Sequence, residues 1–226
     1  MSERHDFYGP IHKGLRLGST ALLTRLGAVD WSDPAGVGNL LADLRAHLVL
    51  ARKHLEHEDG EINVILRERA GDLGVRLDHD HEDHFATFDS LEVAIAAVEQ
   101  AGDAGRRAAG HGLYLLYSRY LGEDLLHMAR EEEEALPVFH ALFDDSRLEA
   151  IHNRIKAQIP LDRLVAYFKL ILAASSPQER VMLLADMRAG APAEVYEAVE
   201  SGAARTLPAK DWRALSRALN DLRQAA

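Results

Sequence analysis

Along residues 113–142, LYLLYSRYLGEDLLHMAREEEEALPVFHAL, apolar side chains stand at Leu113, Tyr114, Tyr117, Tyr120, Leu121, Met128, Ala135, Val138, Phe139 and Leu142. This spacing traces one wide face of an α-helix. The polar exceptions on that face are His127 and, one turn later, Glu131. Side chains at i and i+4 of a helix lie one above the other and can grip the same ion. The figure recurs in LLADLRAHLVLARKHLEHEDGEINVILRER. Measured from His54, apolar residues fall at Leu40, Leu41, Leu44, Leu48, Leu55, Ile62, Ile65 and Leu66, eight of the ten offsets found around His127. His54 and Glu58 take the places of His127 and Glu131. The neighbouring pair His57 and Glu61 has the same spacing, but from His57 the offsets that should be apolar meet Asp43, His47 and Glu58. His54 and Glu58 are therefore the preferred register.

Two more stretches carry helical periodicity. In IHKGLRLGSTALLTRLGAVDW the apolar positions Leu15, Leu22, Leu23 and Leu26 keep step with His12, and the pattern fades between Gly27 and Pro34. In LDHDHEDHFATFDSLEVAIAAVEQA the stripe runs through Leu77, Phe85, Phe88, Leu91, Ile95 and Val98. His81 and His84 fall inside that stripe, whereas His79 and the acids among residues 78–83 lie mostly off it. The breaks between helices are DPAGVGN, then Gly71 with Gly74, then Gly102, Gly105 and Gly110. The second helix is expected to run to about Ala70. Pro137 lies inside the last helical pattern, so a kink or local end is expected near Glu133. No strand pattern appears. Four long helices with short turns predict an all-α fold, an up-down-up-down four-helix bundle over residues 1–145.

From about Asp144 the inward His and Glu pairs stop. Pro160, Pro177, Pro192 and Pro208 each open an amphipathic stretch, as suits Pro at a helix start, and Ser176 with Glu179 forms a capping box. Residues 146–226 are therefore expected to be a C-terminal extension of short helices. Packing, homodimerisation and recognition of a protein partner are all open as roles for it.

Composition narrows the chemistry. The chain of 226 residues has no Cys, which excludes disulfides, thiolate nucleophiles and Cys-based zinc or iron–sulfur sites. A net charge of −10 argues against nucleic acid as a partner. No apolar run approaches a membrane span and no apolar leader is visible, so the expectation is a cytoplasmic protein that meets no membrane. Twelve His in a Cys-free chain point instead to nitrogen and oxygen ligation. The inward set is His12, His54, Glu58, His81, His84, His127 and Glu131. Neutral imidazole with carboxylate suits iron, manganese, zinc or copper, whereas calcium and magnesium prefer oxygen alone. Two carboxylates, each from an HxxxE helix, could bridge two ions.

The segments IHKGLR, HLEHEDGEINVILRER, DHDHEDHF and HMAREEEEALP together resemble the hemerythrin-like, or HHE cation-binding, family over roughly residues 8–143. The resemblance implies a non-haem di-iron centre, with His12, His54, His81 and His127 as terminal ligands and Glu58 and Glu131 as bridges. Manganese or zinc are alternative occupants. It also implies a protein that binds dioxygen or a related small molecule as sensor, store or scavenger. Departures are the HxxH spacing of His81 and His84, where the family's oxygen carriers show HxxxH, and a fourth-helix Glu four residues after His127 in place of an Asp five residues on. The competing readings are a di-iron oxidase or peroxidase using Tyr117 or Tyr120 as a redox phenol, and a helical interaction protein with a structural metal.

Overall fold

The structure is a computed structural model and describes residues 4–225. Among the described residues it is all-helical, without a strand. The helices are α1 (Gly9–Ala28), α2 (Pro34–Glu61), α3 (Asn63–Arg69), α4 (Gly71–Gln100) and α5 (Asp103–Arg130). A π-helical turn, Glu131–Ala135, then leads into α6 (Leu136–Leu142), followed by α7 (Asp145–Ala157), α8 (Leu161–Ala174), α9 (Pro177–Gly190), α10 (Ala193–Thr206) and α11 (Ala209–Ala225). None is long and apolar enough to cross a membrane.

The chain divides into two compact units, one of residues 4–8 and 18–155, the other of residues 9–17 and 156–225. In the first unit the apolar stripes meet in two clusters. One joins Leu22 and Leu26 of α1, Leu41 and Leu44 of α2, Leu91 and Ile95 of α4, and Leu113, Tyr117 and Tyr120 of α5. The other joins Phe7, Tyr8, Ile62, Leu66, Leu77, Ala135, Phe139, Leu148 and Ile151. Burying a side chain of this size is worth roughly 1.5–3 kcal/mol, so these stripes are what hold the helices together. In the second unit Leu172, Leu184, Val199, Leu207, Leu215 and Leu219 share a core, and the Lys13 ammonium pairs with Glu179. Asp33 caps α2 by accepting from the Ala35 amide, and the expected capping box of Ser176 and Glu179 starts α9 with Pro177 in its first turn.

Local expectations change at several points. Of the expected break DPAGVGN only Asp33 precedes α2, and Gly105 and Gly110 lie inside α5 rather than between helices. The second helix does not run unbroken to Ala70; it ends at Glu61 and restarts as α3. Gly60 is a poor helix former, and just beyond the break the buried Asn63 turns its amide to Asp59 Oδ1 (3.2 Å) and Asp78 Oδ1 (3.3 Å). Gly74 is not part of a turn but lies inside α4, where an added Cβ would come within 2.7 Å of the Arg67 backbone nitrogen, so it permits the close crossing of α3 and α4. The turn proper is made by Gly71, at φ +31°. The irregularity ahead of Pro137 takes the form of the π turn: Pro137 has no amide to donate and its ring crowds the Glu133 carbonyl, and wider i→i+5 bonding absorbs the misfit. Glu131 opens that turn.

Candidate metal centre

Glu58 near the end of α2, His81 on α4, His127 on α5 and Glu131 at the π turn bring one ligand atom each to within 4.8 Å of one another, all four buried. His81 Nε2 and His127 Nε2 face each other at 3.0 Å. His81 Nε2 stands 3.9 Å from both Glu58 Oε2 and Glu131 Oε1, and His127 Nε2 stands 3.4 Å from Glu131 Oε2. On the Glu58 side, His54 Nε2 is 3.2 Å from Glu58 Oε1. Thus five of the seven residues expected from the sequence gather in the first unit around two buried carboxylates.

Neither ring of the facing pair is oriented by chance. His81 Nδ1 donates to Asp59 Oδ1 at 2.7 Å, and His127 Nδ1 to Asp80 Oδ2 at 3.3 Å, with the Arg130 guanidinium on the same Asp80 oxygen. A carboxylate on Nδ1 fixes the tautomer and leaves Nε2 as the coordinating atom, the arrangement usual behind metal-bound histidine. The two carboxylates act across helices: Asp59 on α2 serves the histidine of α4, and Asp80 on α4 serves that of α5. Burial disfavours charge on His127, but Glu131, Asp80, Glu58 and Asp124 outweigh it and hold the imidazole up at about 8. For Asp80, burial raises the carboxyl, and the His127 hydrogen bond and Arg130 charge more than reverse that, leaving it below the usual range.

These facts test whether a cation fits. With a carboxylate on Nδ1 of each ring, the two Nε2 atoms at 3.0 Å would repel unless a proton or a cation lies between them. A divalent ion among the same atoms would also offset the two carboxylates, and the donor set of imidazole and carboxylate is that of iron, manganese or zinc. The residues fit such an ion.

The other expected residues fall as follows. His84 is buried in the α4 stripe, donating from Nδ1 to the Asp80 carbonyl at 2.6 Å, with Nε2 3.9 Å from Asp124 Oδ1 and the ring 5.1 Å from that of His127. Burial, with the neighbouring His127 charge, pushes it down to about 4. It lies outside the four-atom group. His12 is fully buried on α1, in residues 9–17, which belong to the second unit. His57 and Glu61 are only partly buried, and Glu61 accepts from Arg154 at 2.8 Å, whereas His54 and Glu58 are buried. Tyr117 and Tyr120 are core residues; the Tyr117 hydroxyl donates to the Ser19 carbonyl at 3.2 Å.

Sequence periodicity does not single out Asp59, Asp80, Asn63, Asp124 or Tyr8. Asp124 is buried, and its position three residues before His127, one helical turn back, is the one sequence signal that could have found it. Asp59 and Asp80 lie off the apolar stripes and offer none. No protein family, curated protein or solved structure matches the chain.

Proposed function

We propose that the chain is a hemerythrin-like protein: an up-down-up-down four-helix bundle that holds a non-haem di-iron centre and binds dioxygen or a related small molecule as a sensor, store or scavenger. The observation that supports this is the facing pair His81 and His127, each held at Nδ1 by a carboxylate from another helix or from α4, with Glu58 and Glu131 beside their Nε2 atoms. In this reading His54, His81 and His127 are terminal ligands and Glu58 and Glu131 the bridges. His84 is a further candidate on the sequence pattern. Manganese or zinc suit the same donors.

When bound, the metal pair would supply Lewis acidity and a one-electron couple for each ion. The chain's own residues supply the rest. Asp59 and Asp80 set the imidazole orientations, Arg130 keeps Asp80 ionised, and the apolar clusters of the first unit exclude water and hold the rings rigid. The enzymatic reading draws on one observation, the fully buried Tyr120 ring 5.8 Å from His84, which would be a candidate redox phenol.

The test is metal analysis of the full chain reconstituted with ferrous iron, with visible spectra before and after air exposure. Two iron atoms per chain with a reversible oxygen-dependent band support the proposal. Fewer than one bound ion of any metal overturns it, and rapid turnover of a reductant with peroxide would move the function to the enzyme.

A further inference from the structure

Away from the metal centre, the first unit has a cleft of about 480 Å³ between the end of α1 and the N-terminal half of α5. Leu26, Gly27 and Val29 line it from the α1 side with Trp31 of the following turn, and Arg107, His111 and Tyr114 line it from α5. Tyr114 stands thirteen residues before His127 on α5, roughly 20 Å along the axis, so the cleft is no part of the ligand cluster. Two glycines bring the aromatic rings to it. A Cβ on the buried Gly110 would meet three atoms of the Trp31 indole at 2.5–2.6 Å, so the bare backbone there lets the ring lie face-on against α5. A Cβ on Gly27 would stand 3.3 Å from Tyr114 Cε2, so this ring packs on the backbone of α1. The turn bearing Trp31 is tied to α5, since Arg106 donates to the Trp31 carbonyl at 3.4 Å and pairs with Asp103 Oδ1 at 3.0 Å. Both rings are half-buried and pack against the first apolar cluster.

The polar side of the cleft is a line of three residues. Arg107, His111 and Tyr114 follow one another at i, i+4 and i+7 on one face of α5, and the His111 and Tyr114 rings stack with centroids 6.4 Å and planes 22° apart. Asp103 takes the charge of Arg106, whereas the exposed Arg107 makes no hydrogen bond or ion pair with another described residue. The carboxylate Arg107 acts on, Asp30, is held below its usual range chiefly by Ser32, whose hydroxyl and amide donate to it at 2.6 and 2.9 Å, and least by Arg107. Apolar and aromatic walls with a few polar groups at one side, in a space of several hundred Å³, make up the usual composition of a small-molecule site.

We propose that this cleft binds a small aromatic carboxylate, its ring against Trp31 and Tyr114 and its carboxylate accepting from Arg107 beside His111. A guanidinium presents parallel N–H groups that match the two oxygens of a carboxylate, and flat aromatic walls suit a planar ring. One uncommitted cation with Asp30 close by balances a single negative charge and disfavours a doubly charged phosphate ester. The site is independent of whether the cluster of Glu58, His81, His127 and Glu131 holds metal.

The probe is 1-naphthoate, titrated in chelator into the full chain carrying Trp212→Phe, which leaves Trp31 as the sole tryptophan of the two in the sequence. Calorimetry reads affinity and stoichiometry, and Trp31 fluorescence reports the cleft itself. The expected result is one site per chain with a saturable change in Trp31 emission. Arg107→Gln, at an exposed position where the fold is not at stake, should weaken 1-naphthoate by about 10–100-fold, as for loss of a hydrogen bond between charged groups. The uncharged 1-naphthylmethanol should bind the parent chain more weakly than 1-naphthoate, and equally in the Arg107→Gln variant; 1-naphthyl phosphate should also bind more weakly than the carboxylate. No saturable binding of 1-naphthoate at millimolar concentration overturns the proposal, as does binding that leaves Trp31 emission unchanged or survives Arg107→Gln. Equal or tighter binding of the alcohol or the phosphate ester overturns it as well.

Discussion

Replacing Glu131 by Gln is expected to change stability in opposite directions with and without metal. The side chain is fully buried, its Oε2 lies 3.4 Å from His127 Nε2, and a Glu58 oxygen is within 4.8 Å. At an effective dielectric near 20, the attraction to a charged His127 is about 5 kcal/mol and the repulsion from Glu58 about 3.5 kcal/mol. The two largely offset. What remains in the metal-free protein is the dehydration of a carboxylate, several kcal/mol, which a neutral isostere avoids apart from the smaller cost of burying an amide. Glu131→Gln should therefore stabilise the metal-free protein by about 1–3 kcal/mol, and each kcal/mol corresponds to roughly 2–4 °C in Tm at this chain length. With metal the order reverses. A ligand that binds only the folded state stabilises by about 2.7 kcal/mol at one hundred times its Kd, and the variant is expected to forfeit most of that increment along with a carboxylate oxygen. The assay is thermal melting by circular dichroism of both proteins, in chelator and in saturating ferrous iron without oxygen. A variant less stable than wild type in chelator, or one that gains the same increment from iron, would refute the reasoning and make Glu131 an ordinary packed residue.

Three further outcomes are expected. His54→Ala should remove most of the bound metal and His57→Ala little, by metal analysis after desalting; the reverse result moves the second-helix ligand to the partly exposed pair. Asp59→Asn keeps a hydrogen-bonding group next to His81 but loses the charge, so metal affinity should fall by about 10–100-fold in a competitive titration, and an unchanged affinity would mean that the 2.7 Å contact does not orient a ligand. His47, buried against Ser19 Oγ at 2.7 Å, is pushed down by burial to about 4 in the folded chain. Its unfolded value is about 6.5, so its contribution to stability is complete above pH 6.5 and is lost as pH falls through 4, at most about 3 kcal/mol. Denaturant titrations should show His47→Gln gaining on wild type by that order between pH 7 and pH 4, and a constant difference would exclude His47 as an acid-sensitive point.

The periodicity that carries His54 and His127 at matching offsets anticipates the inward faces of α2 and α5 and the two carboxylates one turn on. The same holds for His81, whose stripe comes out buried. What periodicity misses depends on how helices meet. Asp59 and Asp80 are off-stripe acids by sequence, and they become supports because the packing of α2 on α4 and of α4 on α5 brings each to the next helix's histidine. Tyr8 lies before any periodic segment, so its burial depends on the path of residues 4–8, which no helical pattern encodes. The break at Glu61 and the shape of the distortion near Pro137 are equally beyond a pattern of faces. Gly60, Asn63 and Pro137 mark where a helix is weak without saying what geometry relieves it.

The donors of the centre come from α2, α4, the end of α5 and the π turn, so no short stretch of the chain contains enough of them to hold an ion. On the ribosome, the nascent chain would carry His54 and Glu58 long before His127 and Glu131 are synthesised. A metal offered early would meet only an unclosed pair on one helix. The cluster therefore cannot template its own fold as a zinc finger's metal does. The apolar stripes would dock first, and any loading would belong to the finished protein, with the supply of metal deciding which ion it held.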